Sequence, residues 1–240
     1  PGYAQMLAQR RTLPAYAARA QLTALLSAPA VQVLVLSGAT GCGKSTQLPQ
    51  LLLDEALTAS PARHCSIIVT QPRRIAALGL AERVAAERDE SCGETIGYAI
   101  RGESKRSEAT RILYCTVGVL LKQLESSTNP LRDTTHVVVD EVHERSVDVD
   151  LLLAYLRRRA ANKPSPQIVL MSATSQTERL AEYFSASLGE AAVGRLEVEG
   201  RSFPVERMCL EEAVLDSGYA LLPEPEPSRP VRGRNRRRQR

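Results

Sequence analysis

The segment Gly38-Ala39-Thr40-Gly41-Cys42-Gly43-Lys44-Ser45-Thr46 stands between an apolar run and a helical pattern. Glycines at this spacing let a backbone curl until its N–H groups converge on phosphate oxygens, and the helix that follows adds partial positive charge behind them. In such a loop Lys44 reaches the terminal phosphates and the Ser45 hydroxyl takes a place on a divalent cation, Mg2+. Gly38, Thr40, Gly41, Cys42, Gly43 and Thr46 complete the cradle. The competing reading is a glycine-rich turn that matches by accident, which residue frequencies make rare in a chain of this length.

A second group of polar residues ends another apolar run: His136-Val137-Val138-Val139 passes into Asp140-Glu141-Val142-His143-Glu144-Arg145. The carboxyl end of a buried strand is where open α/β sheets take their ligands. Two adjacent acids there call for a cation. Asp140 would hold Mg2+ through its water shell, and Glu141 would orient and deprotonate the water that attacks a γ-phosphate. Taken alone the segment is equally a strand ending in solvated acids; the glycine loop upstream is what favours the catalytic reading. The expectation is that Lys44 and the two acids sit on adjoining strand tips, within the span of one metal-bound triphosphate.

These residues need a scaffold, and the rest of the chain supplies alternating short β-rich and helical runs. Strands are expected at 31–37, 66–71, 95–101, 111–116, 135–141 and 167–172. Helices are expected at 44–59, 75–90, 117–125, 149–162 and 178–188. This order makes βαβ units. Runs such as Val137 to Val139 and Ile168 to Met171 are apolar without alternation, as in strands covered on both faces. The fold class is therefore α/β, a mostly parallel sheet with helices on both faces. Turn signals fall at 60–63, 127–130 and 162–166. Residues 1–28 form a helical lead-in, 29–206 one domain, and 207–240 a linker with an arginine-rich tail.

Composition narrows the classes further. At 240 residues and 43% hydrophobic content the chain can bury one substantial core. It has no run of apolar residues long enough to span a bilayer and no secretory signal, so the expected place is inside the cell, in cytoplasm, nucleus or mitochondrion, without a membrane. Five cysteines without a C-x-x-C pair point to reduced thiols. The net charge is +4, but seven arginines lie between Arg229 and Arg240, and subtracting them leaves the remainder at −3. Nucleic-acid binding therefore rests on local sites. The tail itself could bind RNA phosphates, direct nuclear import or keep a linker soluble.

Asp140-Glu141-Val142-His143 resembles the box of DEAH helicases in a variant with valine at its third place. TQPRRIAA (70–77), YCTVGVLL (114–121), SAT (172–174) and GRSFPV (200–205) resemble further blocks of that family, in the family's order. Together with GYAIRGESK (97–105), the valine is similar to the RNA helicase A-like branch of superfamily 2, which includes ribosome-associated members. The resemblance covers residues 13–222 and implies the first RecA-like lobe of an ATP-dependent RNA helicase. It implies that Arg83 stacks on the nucleotide base with little regard to base identity, so that ATP is one of several usable NTPs. His143 would couple the γ-phosphate to Ser172 and Thr174. A surface arginine paired with a helical acid is the alternative for Arg83, and a packed histidine is the alternative for His143.

Arg73, Arg74 and Thr116 fall just past strand carboxyl ends, and the resemblance implies that Arg74 and Thr116 touch the sugar-phosphate backbone of single-stranded or structured RNA. Backbone contact carries no sequence preference. Arg101 ends another strand and is either a further contact or a solvated arginine. With two Phe, seven Tyr and no Trp, base-stacking platforms are scarce. No arginine-rich QRxGRxGR segment occurs in these residues, so the resemblance implies that a second RecA-like lobe, C-terminal modules and ribonucleoprotein partners complete the motor. The isolated lobe is expected to be nearly inactive. A guanine-reading NKxD is absent, which argues against a GTPase, and a small-molecule kinase would not require the later blocks. A helicase-like scaffold without catalysis remains the alternative function.

Overall fold

Strands without a polar face need cover on both sides, and this chain lays its earlier helices on one face of a single sheet and its later ones on the other. A computed structural model describes residues 2–59, 64–126, 131–162, 165–173, 177–200 and 206–219. It divides into Pro1–Arg201 and Ser202–Arg240. The first unit opens with α1 (Gly2–Arg10), α2 (Pro14–Ala17) and α3 (Arg19–Ser27). β1 (Val33–Gly38) leads into α4 (Lys44–Ala59) and β2 (Ile67–Gln71) into α5 (Arg74–Glu87). β3 (Ile96–Ile100) turns back through β4 (Glu103–Lys105). β5 (Ile112–Thr116) runs straight into α6 (Val117–Ser126). β6 (His136–Val139) is followed by a 3-10 turn (Val142–Glu144) and α7 (Val147–Ala160). β7 (Gln167–Ser172), α8 (Thr177–Leu188), a second 3-10 turn and β8 (Val193–Val198) complete it. In the second unit the described residues form α9 (Leu210–Ser217), closed by Gly218 at φ 62°.

The eight strands lie in the order β4-β3-β5-β2-β6-β7-β1-β8. Every pairing is parallel except that of β3 with β4. Parallel pairing brings the carboxyl ends of β1, β7, β6, β2, β5 and β3 to one edge, where ligands of such sheets bind. Successive strand residues point to opposite faces. Leu34, Leu36, Val69 and Tyr114 share one buried cluster with residues of α4 and α5. Val33, Val35, Val137 and Leu170 share the other with residues of α6, α7 and α8. The α/β class with helices on both faces is therefore the observed architecture.

Three details differ from the sequence reading. The glycine loop and the paired acids do not leave adjoining strands, because β7 hydrogen-bonds to both β1 and β6 and lies between them. The strand expected over 135–141 ends at Val139, because Glu141 takes a left-handed conformation (φ 54°) that breaks the extended chain. β4 and β8 were not anticipated; both are edge strands, and β8 shows the half-buried alternation of a strand that pairs on one side only. The expected turns at 60–63 and 127–130 lie outside the described residues, as do two residues of the one at 162–166. The five cysteines, all among the described residues, form no disulfide. Among the described residues no helix is long and apolar enough to cross a membrane.

Candidate functional site

The loop after β1 folds back because Gly41 and Gly43 adopt φ of 82° and 91°, a region that side chains resist. Between them Cys42 is buried and donates its N–H to the Ala39 carbonyl at 3.3 Å. At Gly38 a β-carbon would come within 3.1 Å of Cys42 Sγ and 3.2 Å of Val198, so the loop's first position is closed to larger residues. Lys44 is buried, and its Nζ spans the loop to lie 3.5 Å from the Ala39 carbonyl. The Thr46 hydroxyl donates to Gly43 O at 3.2 Å, which ties the loop to the first turn of α4.

At the tip of β6 Asp140 is 1% exposed, and each of its oxygens accepts a hydrogen bond. Its Oδ2 accepts 2.6 Å from Nε2 of Gln71, the last residue of β2, and its Oδ1 accepts 2.9 Å from the Glu141 main-chain N–H. Gln71 was missed in the sequence, although it stands inside the TQPRR block. Burial raises the Glu141 carboxyl above the ordinary glutamate range and the Asp140 charge raises it further, while Lys44 and His143 oppose both. Glu141 Oε2 is buried without a hydrogen-bond partner, although His143 Nδ1 lies 3.2 Å away. The Ala173 main-chain N–H lies 3.5 Å from the same Nδ1.

These two elements meet. Thr40, Gly41, Gly43, Lys44, Ser45, Thr46 and Glu141 line one cleft of about 320 Å³, with Leu13, Arg83 and Glu87 on its other walls. Two strand-to-strand steps separate β1 from β6 by only about 10 Å, a gap that the loop and the Glu141 side chain bridge. The residues fit a magnesium-bound polyphosphate in kind. They offer an open turn at Gly41, a buried ammonium, hydroxyls, a buried carboxylate and one carboxylate oxygen left unpaired.

Arg83 sits on α5 at the mouth of this cleft, with its side chain 60% exposed and its Nε 2.9 Å from Glu87 Oε1. Arg83 is thus paired with a helical acid, as its alternative reading expected, and it also lines the cleft. Leu13 and Glu87 were not foreseen as walls. No signal in Leu13 itself marks it, since the lead-in reaches the loop only through tertiary contacts such as Ala15 N–H to Cys42 O at 3.0 Å.

Farther along the same sheet edge, Arg74, Arg101 and Thr116 line a second groove with Lys122 and Asp148. Lys122 was not singled out from the sequence, though it closes the YCTVGVLLK run. Arg73 is outside this groove and pairs with Glu144 at 3.2 Å across exposed surface. Such pairs contribute at most about 1 kcal/mol, so Arg73 is readily released to another anion. Ser172 is buried at the end of β7, where it pairs in register with Ser37 of β1. Thr174 and most of the 200–205 block lie outside the described residues.

Residues 17–183 match the family described as DEAD/DEAH box helicase. A human protein named putative ATP-dependent RNA helicase DHX57 is 45% identical over 219 residues, which are 91% of this chain and 15% of that protein. DExH-box ATP-dependent RNA helicase DExH3 of Arabidopsis thaliana is 44% identical over 217 residues, 90% of this chain and 17% of its own length. Human ATP-dependent RNA helicase DHX29 is 40% identical over 231 residues, 92% of this chain and 16% of its own. The chain thus spans about a sixth of the length of these relatives.

Proposed function

The chain belongs to the DEAD/DEAH box helicase family, and from that premise we propose that it is the nucleotide-hydrolysing lobe of an ATP-dependent RNA helicase, with residues 29–206 as the catalytic domain. The observation that carries this reading is the single cleft shared by Lys44, Ser45 and Glu141. Lys44 would hold the β and γ phosphates, and the Gly38–Thr46 loop would offer its main-chain N–H groups to them. Ser45 and Asp140 would hold Mg2+, whose charge would offset that of the phosphates. Few protein ligands suffice for this ion, because it keeps water and phosphate oxygens in its shell. Glu141, with an unpaired buried oxygen, would accept the proton of the attacking water. Arg83 would lie against the base at the cleft mouth, an arrangement that favours any NTP. His143, in contact with both Glu141 and Ala173, would pass the state of the γ-phosphate to Ser172 and Thr174.

The groove lined by Arg74, Arg101 and Thr116 would hold the backbone of single-stranded RNA, with Arg73 beside it. Translocation needs a second RecA-like lobe to supply arginine fingers, which are worth roughly 10³ to 10⁵ in rate. We therefore expect this lobe alone to bind Mg·ATP and to hydrolyse it slowly. The deciding experiment introduces Lys44→Ala or Glu141→Gln into the longest available form of the protein and measures RNA-stimulated ATP hydrolysis. Loss of turnover in both variants supports the enzyme. Full cellular function with both substitutions in place would leave the non-catalytic scaffold as the better reading.

A further inference from the structure

Glu87 is 2% exposed, and a buried carboxylate is costly unless its oxygens are paired. Here each oxygen has a separate duty. Oε1 takes the Arg83 Nε at 2.9 Å. Oε2 accepts from Gln47 Nε2 at 2.9 Å and Gln50 Nε2 at 2.8 Å, both on α4, the helix that begins with Lys44. The Arg10 Nε of α1 lies 3.9 Å from Oε2 and donates at 2.8 Å to Gln47 Oε1. Arg10 is itself 1% exposed, and its Nη2 lies 3.5 Å from Asp54, which in turn pairs with Arg88 at 2.8 Å. Charges of alternating sign thus run from Arg83 at the cleft mouth through Glu87, Arg10 and Asp54 to Arg88, tying α1, α4 and α5 together.

A single exposed arginine has many rotamers, and holding one of them against a flat base costs side-chain entropy each time a nucleotide binds. An Nε anchored to a carboxylate that is itself fixed by two amides has already lost that freedom, while the side chain stays 60% exposed toward the cleft. We propose that Glu87 is a positioning residue for base recognition, fixing the Arg83 guanidinium at the cleft mouth, and that buried Arg10 holds Glu87 in turn. The helix α1 is then part of the nucleotide site although it contributes no group to the phosphates. This inference rests on the reading of Arg83 as the base contact.

The test compares affinities for Mg·ADP and for Mg·pyrophosphate, the second being the first without its nucleoside, on the folded 240-residue chain. Arg83→Ala is expected to weaken Mg·ADP binding about three- to tenfold, the range of a cation on a π face, and to leave Mg·pyrophosphate unchanged. Glu87→Gln should reproduce that selective loss, the double variant should add nothing to it, and Arg10→Gln should follow the same pattern more weakly. An Arg83→Ala variant with unaltered ADP affinity sinks the base-contact reading and the inference with it. If Arg83→Ala behaves as expected but Glu87→Gln weakens both ligands by one factor, or neither, the positioning role alone is overturned. Should Glu87→Gln fail to fold, Glu87→Asp keeps the buried charge while withdrawing it from Arg83 by one methylene. The same selective loss is then expected, and its absence overturns the proposal.

Discussion

The Tyr114 hydroxyl donates 3.0 Å to the main-chain carbonyl of Ser45, the acceptor that Pro49, four residues further along α4, has no N–H to serve. A proline inside a helix leaves such a carbonyl orphaned, and a buried orphan costs about 1–3 kcal/mol. Tyr114 is fully buried, and its phenol is held well above the ordinary tyrosine range by burial first and then by the charges of Asp140 and Glu87. The interior strand β5 thereby satisfies the first turn of the helix that follows the glycine loop. Tyr114→Phe is expected to lower unfolding stability by about 1–3 kcal/mol in urea titrations. In a Pro49→Ala background, where an N–H returns, the same change should cost much less. Strict additivity of the two substitutions would refute this account.

Lys44 and Glu141 should fail differently. Lys44→Ala removes the buried cation from the cleft and is expected to weaken Mg·ATP binding at least about tenfold, as seen by displacement of a fluorescent nucleotide. Glu141→Gln keeps the shape and removes the proposed base, so binding should persist while hydrolysis falls by about 10² or more. Equal loss of binding in both variants would show that Glu141 acts on affinity and not on the chemical step.

The turn that presents Glu141 and His143 ends at Arg145, which also holds a left-handed conformation (φ 49°). Arg145 grips both oxygens of Asp150 at 2.9 and 3.0 Å. The hydrogen bond from Arg145 holds the Asp150 carboxyl below the ordinary aspartate range, with attraction between the charges assisting. A lowered folded-state value means that the unfolded chain takes up the proton first as pH falls. The stabilisation is therefore complete above the unfolded aspartate range and is lost as pH drops through the lower folded value. Carbon-detected NMR titration should place the Asp150 midpoint lower in the native protein than in Arg145→Ala. Identical midpoints would remove the pair from any role in shaping the turn.

Contacts to an RNA backbone have a recognisable salt signature. Arg74→Ala should weaken single-strand binding by a similar factor for every sequence and reduce the slope of log K against log salt by about 0.7. Lys122→Ala should do the same, since its ammonium shares the groove. Arg73→Ala should have a smaller effect, because Glu144 already competes for that guanidinium. Fluorescence anisotropy at several ionic strengths measures all three, and a sequence-dependent loss at Arg74 would contradict a backbone contact.

Much of this protein was legible before folding was considered. The glycine loop, the acids after β6 and the helix over 44–59 are local facts: a turn that needs positive φ selects glycine, and a doubly buried strand selects unbroken valine and isoleucine. Edge strands were harder to read. β4 has three exposed residues and β8 half-buried ones, so neither carries the continuous apolar signal of the interior.

What only the tertiary structure decided is which distant residues share a surface. Sequence order placed the glycine loop and the acids on neighbouring strands, whereas β7 enters between them because strand order follows from how crossover helices cover both faces. Gln71 meeting Asp140 and Tyr114 meeting Ser45 each join residues 69 positions apart, and Arg10 reaching Glu87 brings a lead-in helix into the interior. Such pairings leave no period or motif in the chain. A buried polar group demands a partner, but only the packed fold determines where that partner comes from.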